Sequence, residues 1–361
     1  MPDNQMFYTA MEFFVITALI IMQFFVRHSL ALSTRQKTLF RLLYTVTAAA
    51  AFCEWLGCML QGAADGTRLL HIAVKACELS IAPSIGYLFA WILDSRYKKA
   101  AVAILAANAV LECLSGAFGF IYNVDAANVY THARYYFIYV FFYILSALYC
   151  LVGVFRNVKK YQYSGSRVFA LLMAWMMTGI IIQLVDSTLK VDYVAVGMAS
   201  IMAYVFVAEM IQQTDELTEL LNRRGFENCI MHIEQKCIIV FFDVDKFKSL
   251  NDDLGHSCGD AALKDIGTAI KKCYASYGKC FRYGGDEFCA ILDRDIERVE
   301  EINSDFFREM DRQRKKNSVL PRVSLGYSLF VPGSDNITDV VNTADEMMYR
   351  YKQEHRDEVM A

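Results

Sequence analysis

Seven runs of roughly twenty mostly apolar residues crowd the first 210 positions of this 361-residue chain, at 7–26, 39–60, 70–93, 100–122, 135–155, 168–185 and 193–207. A bilayer core about 30 Å thick takes roughly 20 such residues per helix, and each backbone group left unpaired in lipid costs several kcal/mol. The runs therefore predict an all-α seven-helix transmembrane bundle over residues 1–207. Charge divides the same way: 26 of the first 210 residues are Asp, Glu, Lys or Arg, against 49 of the last 151. That contrast, with an apolar share of 55% against the roughly 45–50% usual in soluble domains, excludes a single soluble globule, a disulfide scaffold and a disordered chain. The net charge of −3 gives no reason to expect nucleic acid as a partner.

Loop charge predicts orientation, because Lys and Arg are retained on the cytoplasmic side. Arg27, Arg35 and Lys37 follow the first run; Arg96, Lys98 and Lys99 follow the third; Arg156, Lys159, Lys160 and Arg167 follow the fifth. The alternate loops hold Arg68, Arg134 and Lys190 alone. The amino terminus is thus expected outside, and everything beyond about Val207 in the cytoplasm. The opening MPDNQ lacks the basic start of a cleavable signal peptide.

Ionisable residues within spans are costly and invite a functional reading. Glu54, Lys75, Glu78 and Glu112 are the candidates. Lys75 and Glu78 stand three apart on one helix face, so two readings stay open: an internal neutralising pair, or part of a pocket for an unknown sensor ligand. The aromatic run YYFIYVFFYILSALY in the fifth span reads as lipid-facing and interfacial. The eleven cysteines include no CxxC pair and no Cys/His spacing suited to zinc, and read as small buried hydrophobes in reducing or lipid surroundings.

Beyond the last run, AEMIQQTDELTELLNRRGF contains no Pro or Gly before Gly225, so residues 208–221 read as a signalling helix or linker and 222–361 as a separate cytoplasmic α/β domain. Within it, CIIVFFDVD from Cys237 has the bounded β-branched character of a buried strand. Leu263, Ile266, Ile270 and Tyr274 share a helical face. CFRY and EFCAIL flank Gly284 and Gly285 as a hairpin, where glycines are expected to supply the positive φ of a tight turn. A charged helix (DIERVEEINSDFFREMDRQRKK), a strand (RVSLGYSLF) and a closing helix (TADEMMYRYKQEH) complete the domain.

Asp243 and Asp245 end the first strand, and Asp286 and Glu287 follow the glycine pair. Carboxylates from two strands can converge on a hard cation, and Mg²⁺ favours few carboxylates plus substrate phosphates. The pattern suggests metal-dependent phosphoryl transfer.

Gly284–Phe288 reads GGDEF, and with DELTELLNRRGF, FDVDKFKSLNDDLGHSCGDAAL and ADEMMYRYKQEHR in this order the region 214–358 resembles the GGDEF diguanylate cyclases. The resemblance implies an α+β sandwich of cyclase or palm type. It implies metal ligation by Asp243, Asp286 and the Val244 carbonyl, with Glu287 assisting; guanine reading by Asn251 and Asp260; and a triphosphate clamp of Lys248, Lys352 and Arg356. The implied cofactor is Mg²⁺, with Mn²⁺ as substitute, and the implied reaction joins two GTP into cyclic di-GMP with release of two pyrophosphates. Because each domain holds one GTP, a homodimer is implied. Asp245, His256 and Asn222 read as turn and cap residues, and Phe247 and Phe288 as core. The chain departs from the family in having Glu219 where Gly is usual and Ser324–Leu325–Gly326 where SIG is usual. Ala275 and Gly278 replace the Arg and Asp of the RxxD product-binding motif. The apolar half resembles, less specifically, the seven-span regions attached to some bacterial histidine kinases, which implies a multi-pass sensor in the plasma membrane. The alternatives to a regulated cyclase are a membrane receptor whose GGDEF-like domain binds GTP or a partner without catalysis, and a cyclase using ATP as one substrate, which Asp260 disfavours.

Overall fold

The computed structural model describes residues 2–93, 98–161, 166–185, 190–293 and 295–358. The chain divides into a helical unit, Met1–Lys160 with Ser164–Glu209, and an α/β unit, Met210–Ala361 with Tyr161–Tyr163.

The helical unit runs α1 (Pro2–His28), α2 (Thr34–Leu60), α3 (Arg68–Ile81), α4 (Ser84–Leu93), α5 (Lys98–Phe118), a hairpin of β1 (Tyr122–Val124) and β2 (Tyr130–His132), α6 (Phe137–Tyr161), α7 (Ser166–Val185) and α8 (Asp192–Gln212). Among the described residues five stretches, not seven, are long and apolar enough to cross a membrane: Gln5–His28, Thr34–Leu60, Arg68–Ile92, Lys98–Phe118 and Asp192–Gln212. α6 offers only the shorter apolar run Phe137–Gly153, because Arg156, Lys159 and Lys160 charge its last turns. α7 is 20 residues long and borders undescribed residues on both sides.

The third expected span is one apolar stretch broken into α3 and α4 at Pro83. Proline has no N–H to return to the carbonyl four residues back, which in lipid would leave Leu79 C=O unpaired. Asn108 of α5 closes that gap: its Nδ2 donates to Leu79 O at 3.1 Å and to Ser80 O at 3.4 Å. The Pro83 carbonyl in turn accepts from Ser146 Oγ of α6. The unexpected hairpin turns on Asn128, whose φ of +58° lies in the left-handed region that Asn tolerates. Its buried Nδ2 donates to Leu60 O and Thr67 Oγ1, both at 2.9 Å. The aromatic run 135–149 does not all face one way, and Tyr135 at its start is exposed. Phe137 and Phe141 are exposed, whereas Tyr136 and Tyr139 pack against the Leu79–Ile121–Tyr122 cluster. Lys75 and Glu78 are paired at 2.7 Å. All eleven cysteines are free; four are buried, but Cys77 and Cys113 are exposed on their helices, contrary to a uniformly buried set.

The α/β unit holds β3 (Leu221–Asn222), α9 (Arg223–Ile230), β4 (Cys237–Val244), α10 (Phe247–Leu254), α11 (His256–Tyr274), β5 (Gly278–Arg282), β6 (Glu287–Leu292), α12 (Val299–Arg314), β7 (Val323–Phe330) and α13 (Ile337–Glu358). Its five strands lie in the order β3-β5-β6-β4-β7, antiparallel except for the β3–β5 pair. β4 reads as an unbroken apolar run because both its faces are covered. Ile238, Val240, Phe242 and Val244 join Ile266, Ile270, Ile302 and Phe306 of α11 and α12 in one core. Cys237, Ile239 and Phe241 join Phe226 of α9 and Val340, Ala344 and Met348 of α13 in the other. Phe288 is fully buried and Phe247 packs against the first core, as expected of core residues.

The expected helix through 208–221 stops at Gln212. Asp215 outcompetes it locally: its Oδ1 accepts from Thr218 N at 2.8 Å and Thr218 Oγ1 at 2.7 Å, and its own N–H donates to Leu220 O at 2.8 Å. Closing this turn places Glu219 at φ +57°. That explains the glycine usual there, since a side-chain-bearing residue in this conformation costs about 1–2 kcal/mol.

Candidate active site

The end of β4 carries the acids. In the register of the sheet Asp243 lies opposite Glu287 of β6 on one side and Ser324 of β7 on the other. Beyond that pair the 283–287 turn closes with Tyr283 N and Gly284 N both donating to Glu287 O, at 2.8 and 3.1 Å. The N–H of Val244 donates to Asp286 O at 3.1 Å, which fixes Asp286 beside the strand end.

The glycine pair does not supply positive φ as expected, for neither residue adopts it. Gly284 leaves room for the Glu287 side chain: a Cβ there would stand 2.4 Å from Glu287 Oε2 and 3.3 Å from its Cβ, so the carboxylate would have to swing aside. Gly285 faces open space and is exposed, leaving the turn's backbone accessible.

Charge is unbalanced at this strand end. Burial pushes the Asp243 carboxyl above its ordinary range, the Lys352 ammonium opposes that, and Asp286 and Asp245 add to the rise. Glu287 is raised by burial and then by Asp243 and Asp286. The counter-charge is Lys352 of α13, whose Nζ is hydrogen-bonded to Asp243 Oδ1. α13 reaches this point because β7 has Gly326 beneath it; a Cβ at 326 would meet Met348 N at 2.1 Å and Ala344 O at 2.4 Å. Lys352 therefore serves a carboxylate here. The side chain of Arg356, the other clamp residue on this helix, lies outside the described residues.

A second group forms on α10 and α11. Asn251 packs so closely on Gly259 that a Cβ there would lie 2.0 Å from its Oδ1, which is buried without a hydrogen-bond partner. Asp260, the next residue after Gly259, is exposed, as is Lys248 one turn before Asn251. The proposed guanine readers are thus adjacent, with one acceptor unsatisfied.

The remaining expectations divide. Asn222 is the cap of α9, accepting from Gly225 N at 3.1 Å, and also donates to Gln212 O at 2.8 Å. Asp245 holds the turn after β4 by accepting from Ser324 Oγ at 2.8 Å, with its N–H on Arg322 O at 2.9 Å. His256 opens α11 and is exposed; no side-chain cap is made at that helix start. No sequence pattern marks Arg282, two residues before the glycine pair, as part of the site. Its Nη2 donates to Gly285 O at 2.7 Å and its Nη1 pairs with Asp215 Oδ2 at 3.2 Å, tying the signature turn to the 214–221 segment.

Oxygen donors dominate the strand end, which suits a hard cation. Among the described residues no three His, Cys, Asp or Glu side chains converge as a ready-made cage. The two or three acids present, short of positive charge, fit Mg²⁺ of the kind that completes its shell with phosphate oxygens and water.

The α/β unit thus carries an acidic glycine hairpin between β5 and β6, beside the end of β4. Residues 212–358 match the family described as diguanylate cyclase, GGDEF domain. This unit is a GGDEF domain, and its curated relatives include diguanylate cyclases. Diguanylate cyclase DosC of Escherichia coli K12 is 31% identical over 157 residues, covering 40% of this chain and 34% of that protein. Diguanylate cyclase VdcA of Vibrio cholerae is 26% identical over 156 residues, covering 40% and 46%. The chain thus spans less than half the length of either relative. The solved GGDEF domain of DgcB from Caulobacter crescentus, in complex with c-di-GMP, is 26% identical, with a TM-score of 0.34 and coverage of 39% of this chain and 91% of that one.

Proposed function

We propose that the chain is a membrane-bound diguanylate cyclase, joining two GTP into cyclic di-GMP with release of two pyrophosphates under the control of its apolar helical unit. The gathering of Asp243, Asp286 and Glu287 at one strand end, with Lys352 as counter-charge, carries this reading. Asp243 and Asp286 would hold Mg²⁺ together with the Val244 carbonyl. Bound there, the ion supplies Lewis-acid polarisation of the α-phosphate and acidifies the attacking 3′-hydroxyl. Glu287 adds negative charge beside both acids. Asn251 and Asp260 read the guanine edge, the unsatisfied Asn251 Oδ1 accepting from the base and the Asp260 carboxylate accepting from its adjacent N–H donors. The triphosphate draws the Lys352 ammonium from Asp243, and Lys248 and Arg356 complete the clamp. Two GTP must meet, so two such domains face each other as a homodimer. The direct test is incubation of purified full-length protein with GTP and Mg²⁺, read for cyclic di-GMP; no product across a range of protein concentrations would overturn the reading.

The helical unit is assigned to the plasma membrane with its amino terminus outside. The seven-span count rests on the alternation of loop charge and on α6 and α7 crossing as well as the five longer stretches. Reporter fusions should show Asp125 outside and Ile211 inside, whereas an outside signal at Ile211 would refute the topology.

Product feedback is expected to be weak. Gly278 opens β5 against β6, where a Cβ would lie 1.9 Å from Ile291 O, so the Asp of a product-binding motif has no room there without a backbone shift. Micromolar cyclic di-GMP at saturating GTP should slow turnover less than about twofold; strong non-competitive inhibition would reveal a second product surface.

A further inference from the structure

Helices α4, α5 and α6 leave a cavity of about 530 Å³ between them, at the end of the helical unit where α4 stops and α5 begins. That volume is within the roughly 300–1,000 Å³ of small-molecule sites. Small side chains create it. Gly153 lets α6 approach α4, since a Cβ there would stand 3.0 Å from the Ala90 Cβ, while α5 offers only Ala100, Ala101 and Ile104 to the same space. A gap walled by carbon forfeits dispersion contacts along its whole lining, so an occupant is favoured. Tyr87 and Ala90 form the buried floor, whereas Leu148 and Val152, one turn apart on α6, are 52% and 48% exposed. The cavity is therefore a groove open to the side of the helical unit, which the membrane placement makes the lipid side.

At one end the lining passes from carbon to charge. Arg156, one turn beyond Val152, lines the groove and is exposed. Lys98, at the start of α5, places its Nζ 5.3 Å from the Trp91 ring centroid, and Trp91 Nε1 donates to the hydroxyl of the groove residue Tyr149 at 3.2 Å. Arg35 of α2 brings a third cation here by donating to the Trp91 carbonyl at 2.9 Å. In sequence, 94–99 and 156–160 hold Arg96, Lys98, Lys99, Arg156, Lys159 and Lys160 against one acid, Asp94. By the alternation of loop charge this is the cytoplasmic end.

A carbon groove open to the side, with cations at its cytoplasmic end, matches a hydrocarbon chain that carries an anionic head. A water-soluble phosphate would leave the carbon walls unfilled, and a lipid without net charge would leave the cations unanswered. We propose that the groove binds one anionic glycerophospholipid of the cytoplasmic leaflet, with an acyl chain along Tyr87, Ala101 and Leu148 and the phosphate on Arg156 beside Lys98. The site rests on the membrane placement and not on the cyclase reading, because no residue of the α/β unit takes part.

Membranes holding the full-length protein are first extracted with alkaline carbonate; release would overturn the membrane placement and the lipid site together. Protein that stays is moved to nanodiscs of phosphatidylcholine with a minor share of phosphatidylglycerol brominated on its acyl chains. Bromine quenches an indole in its vicinity, and Trp91 is the reporter once Trp55 and Trp175, the other two tryptophans, are replaced by Phe. Quenching should saturate at a low phosphatidylglycerol share, with a preference of at least about tenfold over equally brominated phosphatidylcholine. Arg156→Gln should lower that preference about fivefold, the pull of one cation on an anionic lipid, while Arg27→Gln, outside the groove, leaves it unchanged. Val152→Phe should fill the groove from its exposed side and reduce quenching by phosphatidylglycerol to the level given by phosphatidylcholine. Should the Phe background fail to fold, native mass spectrometry of the wild-type chain and the same variants counts the phosphatidylglycerol each retains. Equal binding of the two lipids, an unchanged preference in the Arg156 and Val152 variants, or displacement of the lipid by soluble glycerol 3-phosphate would each overturn the lipid site alone.

Discussion

Asp286→Ala is expected to lower cyclic di-GMP formation at least about a thousandfold. On the proposed function the substitution would remove one of two carboxylates for the cation, and metal stabilisation of developing charge is worth several kcal/mol, each 1.36 kcal/mol being tenfold in rate. Only the side chain is lost: the backbone carbonyl of Asp286 still accepts from Val244 N, so the turn keeps its attachment to β4. The measurement is product formed per protein by the purified full-length variant, beside Glu219→Gly as a control that relieves a left-handed residue and should retain turnover. Undiminished synthesis by the Asp286 variant would end the enzymatic reading.

Gly326→Val should loosen α13 from the sheet and cost about 3 kcal/mol locally, at the upper end of overpacking. The obstruction is helix backbone, Met348 N and Ala344 O, which cannot swing aside as a side-chain tip does. Because α13 presents Lys352 to Asp243, activity should fall with packing. Hydrogen exchange of α13 amides in the full-length protein is the discriminating readout: about a hundredfold faster exchange is expected there, with β4 unchanged. Unaltered α13 protection would show that the helix does not depend on that glycine.

Much of the α/β unit was legible because its signals are local and period-specific. Cys237–Val244 declares a doubly covered strand, the Leu263–Ile270 spacing declares a helix face, and both are as expected. What escaped depends on partners distant in sequence or on competing local bonds. No pattern in residues 208–221 announces that Asp215 will hold Thr218 and Leu220 and stop the helix at Gln212. The usual glycine at 219 was a readable hint that a left-handed turn belongs there. Arg282 was passed over because its value lies in joining Asp215 and Gly285, 67 and three residues away. In the apolar half, Pro83 was visible as a helix breaker, but the repair by Asn108 is a tertiary contact across 29 residues. The acids at the strand end stand out in the order of the sequence; that Lys352 neutralises Asp243 follows only from the seating of α13 on β7.

β4 is paired along its length, to β6 on one edge and β7 on the other, and is packed on both faces. Asp243 therefore hangs from a strand held on both edges and both faces, an anvil rather than a hinge. Whatever tunes this domain has little leverage on Asp243 itself. It must act on the pieces brought against the anvil: the 283–287 turn held by Arg282, the edge of α10 that carries Asn251, and the lysine-bearing helix. Substitutions that adjust rate without abolishing it should accordingly concentrate in those three pieces and be rare along Cys237–Phe242.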